Sequence, residues 1–192
     1  MTHHNNESAG ISRRGLLGLA GAFVALGAAP VLANAPGLLR GAGDIRRIAM
    51  TNPRTAEQLD TIYWLDGEYI PEALTEISFF MRDWRQNELI EFDPRAVDIM
   101  AAARNLMETT EPYTVISGYR SRQTNNMLRR RKRGVASNSY HTKGMAADLK
   151  LRSRSVRQMF AAAEACHAGG VGKYTRAKFV HMDCGPVRTW GR

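Results

Sequence analysis

The chain has 192 residues, 44% of them hydrophobic, and carries 27 Lys+Arg against 18 Asp+Glu for a formal net charge of +9. That length is one domain's worth of chain, or one domain plus a targeting segment. The basic balance points to an acidic partner.

In chain order, Ser12-Arg13-Arg14-Gly15-Leu16-Leu17 opens an apolar, Gly- and Ala-rich run through Leu32, and Ala33-Asn34-Ala35 is an A-x-A cleavage signal. The run is too short and too rich in glycine for a membrane span, which needs ~20 apolar residues. The paired arginines before it resemble a twin-arginine export signal. Residues 1–35 are therefore expected to be a signal peptide, 36–44 a linker and 45–192 the working domain, with no stable membrane span after cleavage. An uncleaved N-terminal anchor is the alternative. Either way the domain faces the outside of a bacterial cytoplasmic membrane. Loss of residues 1–35 removes Arg13, Arg14 and Glu7, leaving 25 Lys+Arg against 17 Asp+Glu, a net charge of +8. Export argues against nucleic acid as the partner and favours cell wall, with its free carboxylates, or anionic lipid headgroups. The ~150 remaining residues can bury a core without staples. In an oxidising compartment Cys166 and Cys184 could pair.

Arg46 to Asn52 reads as a short strand stopped by Pro53, and Leu59 to Leu65 as a second, with Asp66-Gly67 turning the chain so that Tyr69 resumes antiparallel. Pro71 starts a helix whose buried stripe is Leu74, Ile77, Met81 and Trp84, broadened by Phe79 and Phe80. Asp93-Pro94 caps and starts another, running to about Glu108 and burying Val97, Met100, Ala101 and Leu106. Tyr113 to Ser117 is a buried strand ended by Gly118. Thr124 to Lys132 is helical, and its basic run Arg129 to Arg133 reads as a solvated face or as an attraction for an acidic polymer. Met145 to Leu151 enters a strand. Ser153 caps a helix through about Ala168, ended by Gly169-Gly170. Val171 to Tyr174 and Lys178 to Asp183 close the chain as two strands. The fold expected is α+β: a small antiparallel sheet carrying the site, with helices packed on one side.

The chemistry concentrates in Ser139-Tyr-His-Thr-Lys-Gly-Met-Ala-Ala-Asp-Leu149. A loop delivers His141, a turn at Gly144 follows, and a strand delivers Asp148. Beyond residue 35 the histidines are His141, His167 and His181, and His181 lies in Phe179-Val-His-Met-Asp183. Strand alternation puts His181 and Asp183 on one face. His141, Asp148 and His181 thus form a three-ligand set suited to one catalytic zinc ion per chain with an open fourth position. Zinc lowers the pKa of a bound water to about 7 and polarises a carbonyl. Asp183 is then the candidate base, and Arg120, just past a strand end, the candidate stabiliser of the developing oxyanion. Each has a bland reading as well: a packed histidine, a surface cation, a turn carboxylate.

Ser139-x-His141-x-x-Gly144-x-Ala146-x-Asp148 resembles the S-x-H-x-x-G-x-A-x-D signature of the D-alanyl-D-alanine metallopeptidases, within the LAS group of zinc peptidases. Ser117-Gly-Tyr-Arg-Ser121, Gly169-Gly-Val-Gly172 and His181-x-Asp-x-Gly-Pro-Val-Arg-x-Trp190 resemble a narrower branch, the murein endopeptidase K-like enzymes. The resemblance runs from near residue 45 to the C-terminus. It implies the LAS/hedgehog-type peptidase fold, a periplasmic location and zinc on His141, Asp148 and His181. It also implies Arg120 as the substrate-polarising arginine and peptidoglycan peptides as substrate, cut at diaminopimelate–diaminopimelate (L,D) bonds. Many LAS enzymes place a Glu or His base shortly before the last ligand; here Phe179 and Val180 stand there, so Asp183 is either base or an orienting partner of His181. The alternatives are a D,D-specific carboxypeptidase or endopeptidase, a non-catalytic wall-binding zinc module, and a hydrolase using Cys184 as nucleophile with His181.

Overall fold

Alternating and β-branched residues near the start of the described chain build its first strands. The computed structural model describes residues 1, 43–131 and 134–191; the leader expected beyond residue 1, the linker as far as residue 42, and Lys132 and Arg133 of the basic run lie outside the described residues. Strand β1 (Arg46–Asn52) pairs antiparallel with β2 (Glu57–Leu65), and β2 turns through Asp66-Gly67 into the short β3 (Glu68–Tyr69). Helix α1 (Pro71–Phe80) begins at the proline, and α2 (Pro94–Leu106) begins where the Asp93 side chain accepts from the Arg95 backbone N–H. These two helices form the crossover to β4 (Tyr113–Ser117), which pairs parallel with β1.

Helix α3 (Arg122–Arg131) follows, and a 3-10 turn (Tyr140–Lys143) leads into β5 (Ala146–Lys150). Then come α4 (Val156–Ala165), β6 (Gly170–Tyr174), β7 (Phe179–Asp183) and β8 (Arg188–Gly191). One eight-stranded sheet results, in the order β3-β2-β1-β4-β5-β7-β6-β8. The expected α+β class holds. The sheet is longer than anticipated, and its β1–β4 and β6–β8 pairings are parallel.

Alternation divides the two faces of the central strands. Val115, Ala147, Leu149, Val180 and Met182 enter the core with Ile77 of α1, Val97 and Met100 of α2, and Met159 and Ala163 of α4. The intervening residues, Asp148 and His181 among them, face the other way. No described helix is long and apolar enough to cross a membrane.

Several expectations about burial and caps are corrected. Phe79 is 51% exposed and lies under the Arg82 guanidinium, 4.1 Å from ring centroid to Cζ, so Ala73, Ile77 and Phe80 carry the buried stripe of α1. Leu74 and Trp84 are only half-buried. Leu106 is exposed in the last turn of α2. Helix α4 is capped by Ser155, because Ser155 and Gln158 bond reciprocally in a capping box while the Ser153 N–H is already taken by Glu111. It ends at Ala165, with Cys166 as its cap, short of the expected Ala168. Helix α3 starts two residues early, at Arg122. The exposed Arg129, Arg130 and Arg131 sit in its last turn, where cations complement the helix dipole.

A buried polar cluster holds the first three strands onto α2. Asp98, fully buried, pairs with Arg46 at 2.7 Å and accepts from the hydroxyls of Tyr63 (3.0 Å) and Tyr69 (2.6 Å). Removing one partner of a buried ion pair strands the other charge. Asp98→Ala is expected to cost about 3–5 kcal/mol in urea unfolding, and a loss under 1 kcal/mol would show the cluster to be incidental.

Candidate metal centre

The register of four strand pairings builds the site before any side chain is considered. Ser117 of β4 stands opposite Asp148 of β5, Asp148 opposite His181 of β7, His181 opposite Gly172 of β6, and Gly172 beside Trp190 of β8. Ser117, Asp148, His181, Gly172 and Trp190 are therefore one row across five strands. Gly172 is required there, since a Cβ would lie 2.5 Å from the Trp190 ring. That ring stands 5.2 Å from the His181 imidazole, centroid to centroid.

His141 arrives from outside the sheet. The 3-10 turn ends at Gly144 in the left-handed conformation (φ 67°), and a Cβ at that position would meet the Glu91 carbonyl oxygen at 2.7 Å. Only glycine combines that φ with that approach. The turn drops His141 beside the row, 2% exposed. Its Nδ1 lies 2.7 Å from the Gly118 carbonyl oxygen, and its Nε2 is 3.2 Å from both Asp148 Oδ1 and His181 Nδ1. His181 Nδ1 is 2.9 Å from the same Asp148 oxygen, and its Nε2 is 2.8 Å from Asp183 Oδ2.

The tautomers follow from these partners. A carbonyl oxygen only accepts, so His141 Nδ1 carries its hydrogen and Nε2 of the neutral ring is a bare lone pair. Asp183 Oδ2 likewise only accepts when ionised, which places the hydrogen of His181 on Nε2 and leaves Nδ1 bare. Asp148 Oδ1 is an acceptor as well. Three lone pairs therefore converge, all within 4.8 Å of one another, with no hydrogen among them. That arrangement is repulsive unless a proton or a cation fills it. The separations of 2.9–3.2 Å approach the edge of a zinc tetrahedron, roughly 3.3 Å for bonds of about 2.0 Å. The donor set fits a divalent metal.

Charge around the centre is balanced by two arginines. Arg120 bonds through Nη2 to Asp148 Oδ2 and through Nε to Ser117 Oγ at 2.7 Å. Burial opposes the charged form of Asp148, but His141 and Arg120 outweigh it and hold this carboxyl well below the usual range. Burial lowers the His141 pKa. It also opposes a cation on His181, where hydrogen bonds donated to Asp148 and Asp183 reverse the direction and raise it.

Asp183, fully buried, is the most heavily bonded carboxylate here. Its Oδ1 accepts from the Gly185 N–H (2.9 Å), the Gly170 N–H (3.3 Å) and Arg188 Nη1 (3.0 Å), and its Oδ2 from Arg188 Nη2 (2.7 Å) as well as His181. Burial works against its charge, yet His181 and Arg188 hold its pKa at about 2. It touches His181 on the ring nitrogen opposite the one that joins the convergent set.

Four of the five candidate residues, Arg120, His141, Asp148 and His181, line a cleft of about 660 Å³ together with Arg85, Tyr140, Arg188 and Trp190, and the fifth, Asp183, is buried behind His181. The sequence motif contained Arg188 and Trp190 without assigning them work, and Arg85 carried no signal. Cys184 does not join the site. Its thiol lies beside Asp93, and burial pushes it up to about 12, which makes it a poor nucleophile. Cys166 and Cys184 are both free thiols.

The family model described as peptidoglycan L,D-endopeptidase MepK, of the M15 peptidases, matches residues 40–190. The chain belongs to that family. Among its relatives is the peptidoglycan L,D-endopeptidase MepK of Escherichia coli (strain K12), 41% identical over 179 residues, covering 93% of this chain and 97% of the relative. The probable peptidoglycan L,D-endopeptidase MepK of Haemophilus influenzae (strain ATCC 51907 / DSM 11121 / KW20 / Rd) is 38% identical over 146 residues, 76% of this chain and 78% of the relative. Members of the M15 family are metallopeptidases, in agreement with the donor set.

A proton competes with the metal for each bare nitrogen. Because the His181 pKa is raised, its cationic form persists above the ordinary histidine value of about 6.5. Zinc affinity measured by competition with a fluorescent chelator should therefore already fall above the ordinary histidine range and keep falling as the pH is lowered, and a flat profile to pH 5 would contradict this ligand set.

Proposed function

We propose that this chain cleaves diaminopimelate–diaminopimelate (L,D) cross-links of peptidoglycan, with one zinc ion held by His141, Asp148 and His181. That it is a peptidoglycan endopeptidase follows from its family. The reading of the metal is carried by three convergent lone pairs at the floor of an open cleft. A zinc ion held there supplies Lewis acidity toward the scissile carbonyl and acidifies the attacking water.

The chain's own groups prepare and complement that chemistry. The Gly118 carbonyl and Asp183 keep the two imidazoles in the ligating tautomer, each with its lone pair inward. Arg120, anchored by Ser117 and Asp148, offers a fixed guanidinium at the cleft floor, where it stabilises negative charge growing on the carbonyl oxygen. Asp183 acts as a positioning residue through His181. Both its oxygens are engaged, and among the described residues lining the cleft Asp148 is the only carboxylate. A base role for Asp183, one of the two roles the sequence left open, would require one of those bonds to open.

The twin arginines and the A-x-A site support residues 1–35 as a signal peptide, export by the twin-arginine route and a periplasmic location for the domain. The surplus of basic residues suits a polymer bearing free carboxylates.

Mass spectrometry of products from defined cross-linked muropeptides tests the reaction. A chelator should abolish cleavage of the diaminopimelate–diaminopimelate dimer, zinc should restore it, and His141→Ala should be inactive; cleavage only of D-alanyl–diaminopimelate links would overturn the bond assignment. Asp183→Asn separates the two roles of that residue. Positioning predicts zinc affinity lowered about 10- to 100-fold with turnover largely kept once zinc is saturating. A base would instead leave zinc bound and cost about 10²- to 10⁴-fold in kcat.

A further inference from the structure

Among the described residues three guanidiniums line the cleft, and two are committed: Arg120 to Asp148 and Arg188 to Asp183. The third, Arg85, is in no ion pair among the described residues. It is nevertheless held in place. Its guanidinium lies over the Trp84 ring, 4.1 Å from the centroid, a stack that keeps the planar fork oriented.

The backbone beneath it is braced against the Arg120 loop by a single buried carboxylate. Asp83 accepts from the Arg85 N–H (3.1 Å) with Oδ1, and from the Ser121 N–H (3.0 Å) and hydroxyl (2.7 Å) with Oδ2. Glu88, bridged to Asp83 in a short antiparallel contact, accepts from the Tyr119 hydroxyl at 2.5 Å. Arg85 and Arg120 are thus two cations on one rigid frame. Burial, and then the charges of Arg120 and Arg54, weigh against the Arg85 cation, with Asp83 the opposing neighbour. A fixed cation among cations, facing an open cleft, is a site prepared for an anion from solution.

We propose that Arg85 binds the free carboxylate that a diaminopimelate cross-link carries on the carbon next to its amide nitrogen. This rests on the peptidoglycan reading above. When the amino group of one diaminopimelate centre is acylated to make the cross-link, the carboxylate on that same carbon stays ionised. It travels with the scissile amide, so the metal centre and Arg120 can act at the carbonyl while Arg85 grips the amine side. A guanidinium pairs with such a carboxylate through two parallel N–H···O bonds, which a lysine cannot reproduce. Arg85 would then discriminate between native cross-links and those in which that carboxylate is a carboxamide.

The test compares two cross-linked dimers, one with the free carboxylate and one amidated at that position, using the zinc-loaded wild-type chain, Arg85→Gln and Arg85→Lys. Wild-type protein should favour the carboxylate dimer by about 10- to 100-fold in kcat/KM. Arg85→Gln should collapse that ratio toward one, chiefly by raising KM for the carboxylate dimer, and Arg85→Lys should recover part of it. A ratio unchanged in Arg85→Gln would overturn the proposal, as would equal loss on both dimers. Wild-type protein that cleaves neither dimer would instead overturn the reading beneath it, and this inference with it.

Discussion

Three unshared electron pairs aimed at one point, without a hydrogen between them, are the constraint on which the site depends. Each is fixed from behind: His141 by the Gly118 carbonyl, His181 by Asp183, Asp148 by Arg120. Taken alone the convergence is unfavourable, because it crowds acceptors together at low exposure. It persists because the surrounding fold over-determines it, and a divalent cation bound there would convert the repulsion into binding energy. The outer partners matter as much as the ligands, since they settle which nitrogen is bare.

The sheet supplies the precision. Asp148 and His181 are direct cross-strand neighbours, so their separation is set by strand spacing and not by loop conformation. The same strands send Leu149, Val180 and Met182 into the core against α2 and α4, so any slip that moved Asp148 or His181 would also unpack the core. His141 comes from a turn, yet that turn is pinned: its carbonyl accepts from the Arg120 N–H at 3.1 Å, and the Gly144 carbonyl accepts from the Asp93 N–H at 2.8 Å. The arginine of the site and the cap of α2 thereby hold the one member of the convergent set that the sheet does not carry.

Much of this was legible in the sequence because it is local. Turn glycines, a proline at the start of a helix, and β-branched runs located most elements within two or three residues. Alternation along Phe179–Asp183 correctly put His181 and Asp183 on one face. Alternation says nothing about which ring nitrogen a neighbour meets, so the sequence left Asp183 as either a base or an orienting partner, and the structure adds that it meets His181 at Nε2. Strand β8 escaped notice because Arg-Thr-Trp-Gly is short and earns its state from a parallel pairing with β6, a tertiary contact without local signal. The Asp98 cluster, built from residues up to 52 positions apart in sequence, was unreadable for the same reason. Phe79 stands two residues past Ile77, roughly 200° round the helix from the buried face, so it is exposed while Phe80 is buried, and Leu106 is exposed in the last turn of α2.

X-ray absorption at the zinc edge of the zinc-loaded chain examines the convergent set most directly. Two imidazole nitrogens and one carboxylate oxygen at about 2.0–2.2 Å, with one further light-atom ligand, are the expected shell. A sulfur shell near 2.3 Å, a single imidazole, or no specifically bound zinc would contradict it.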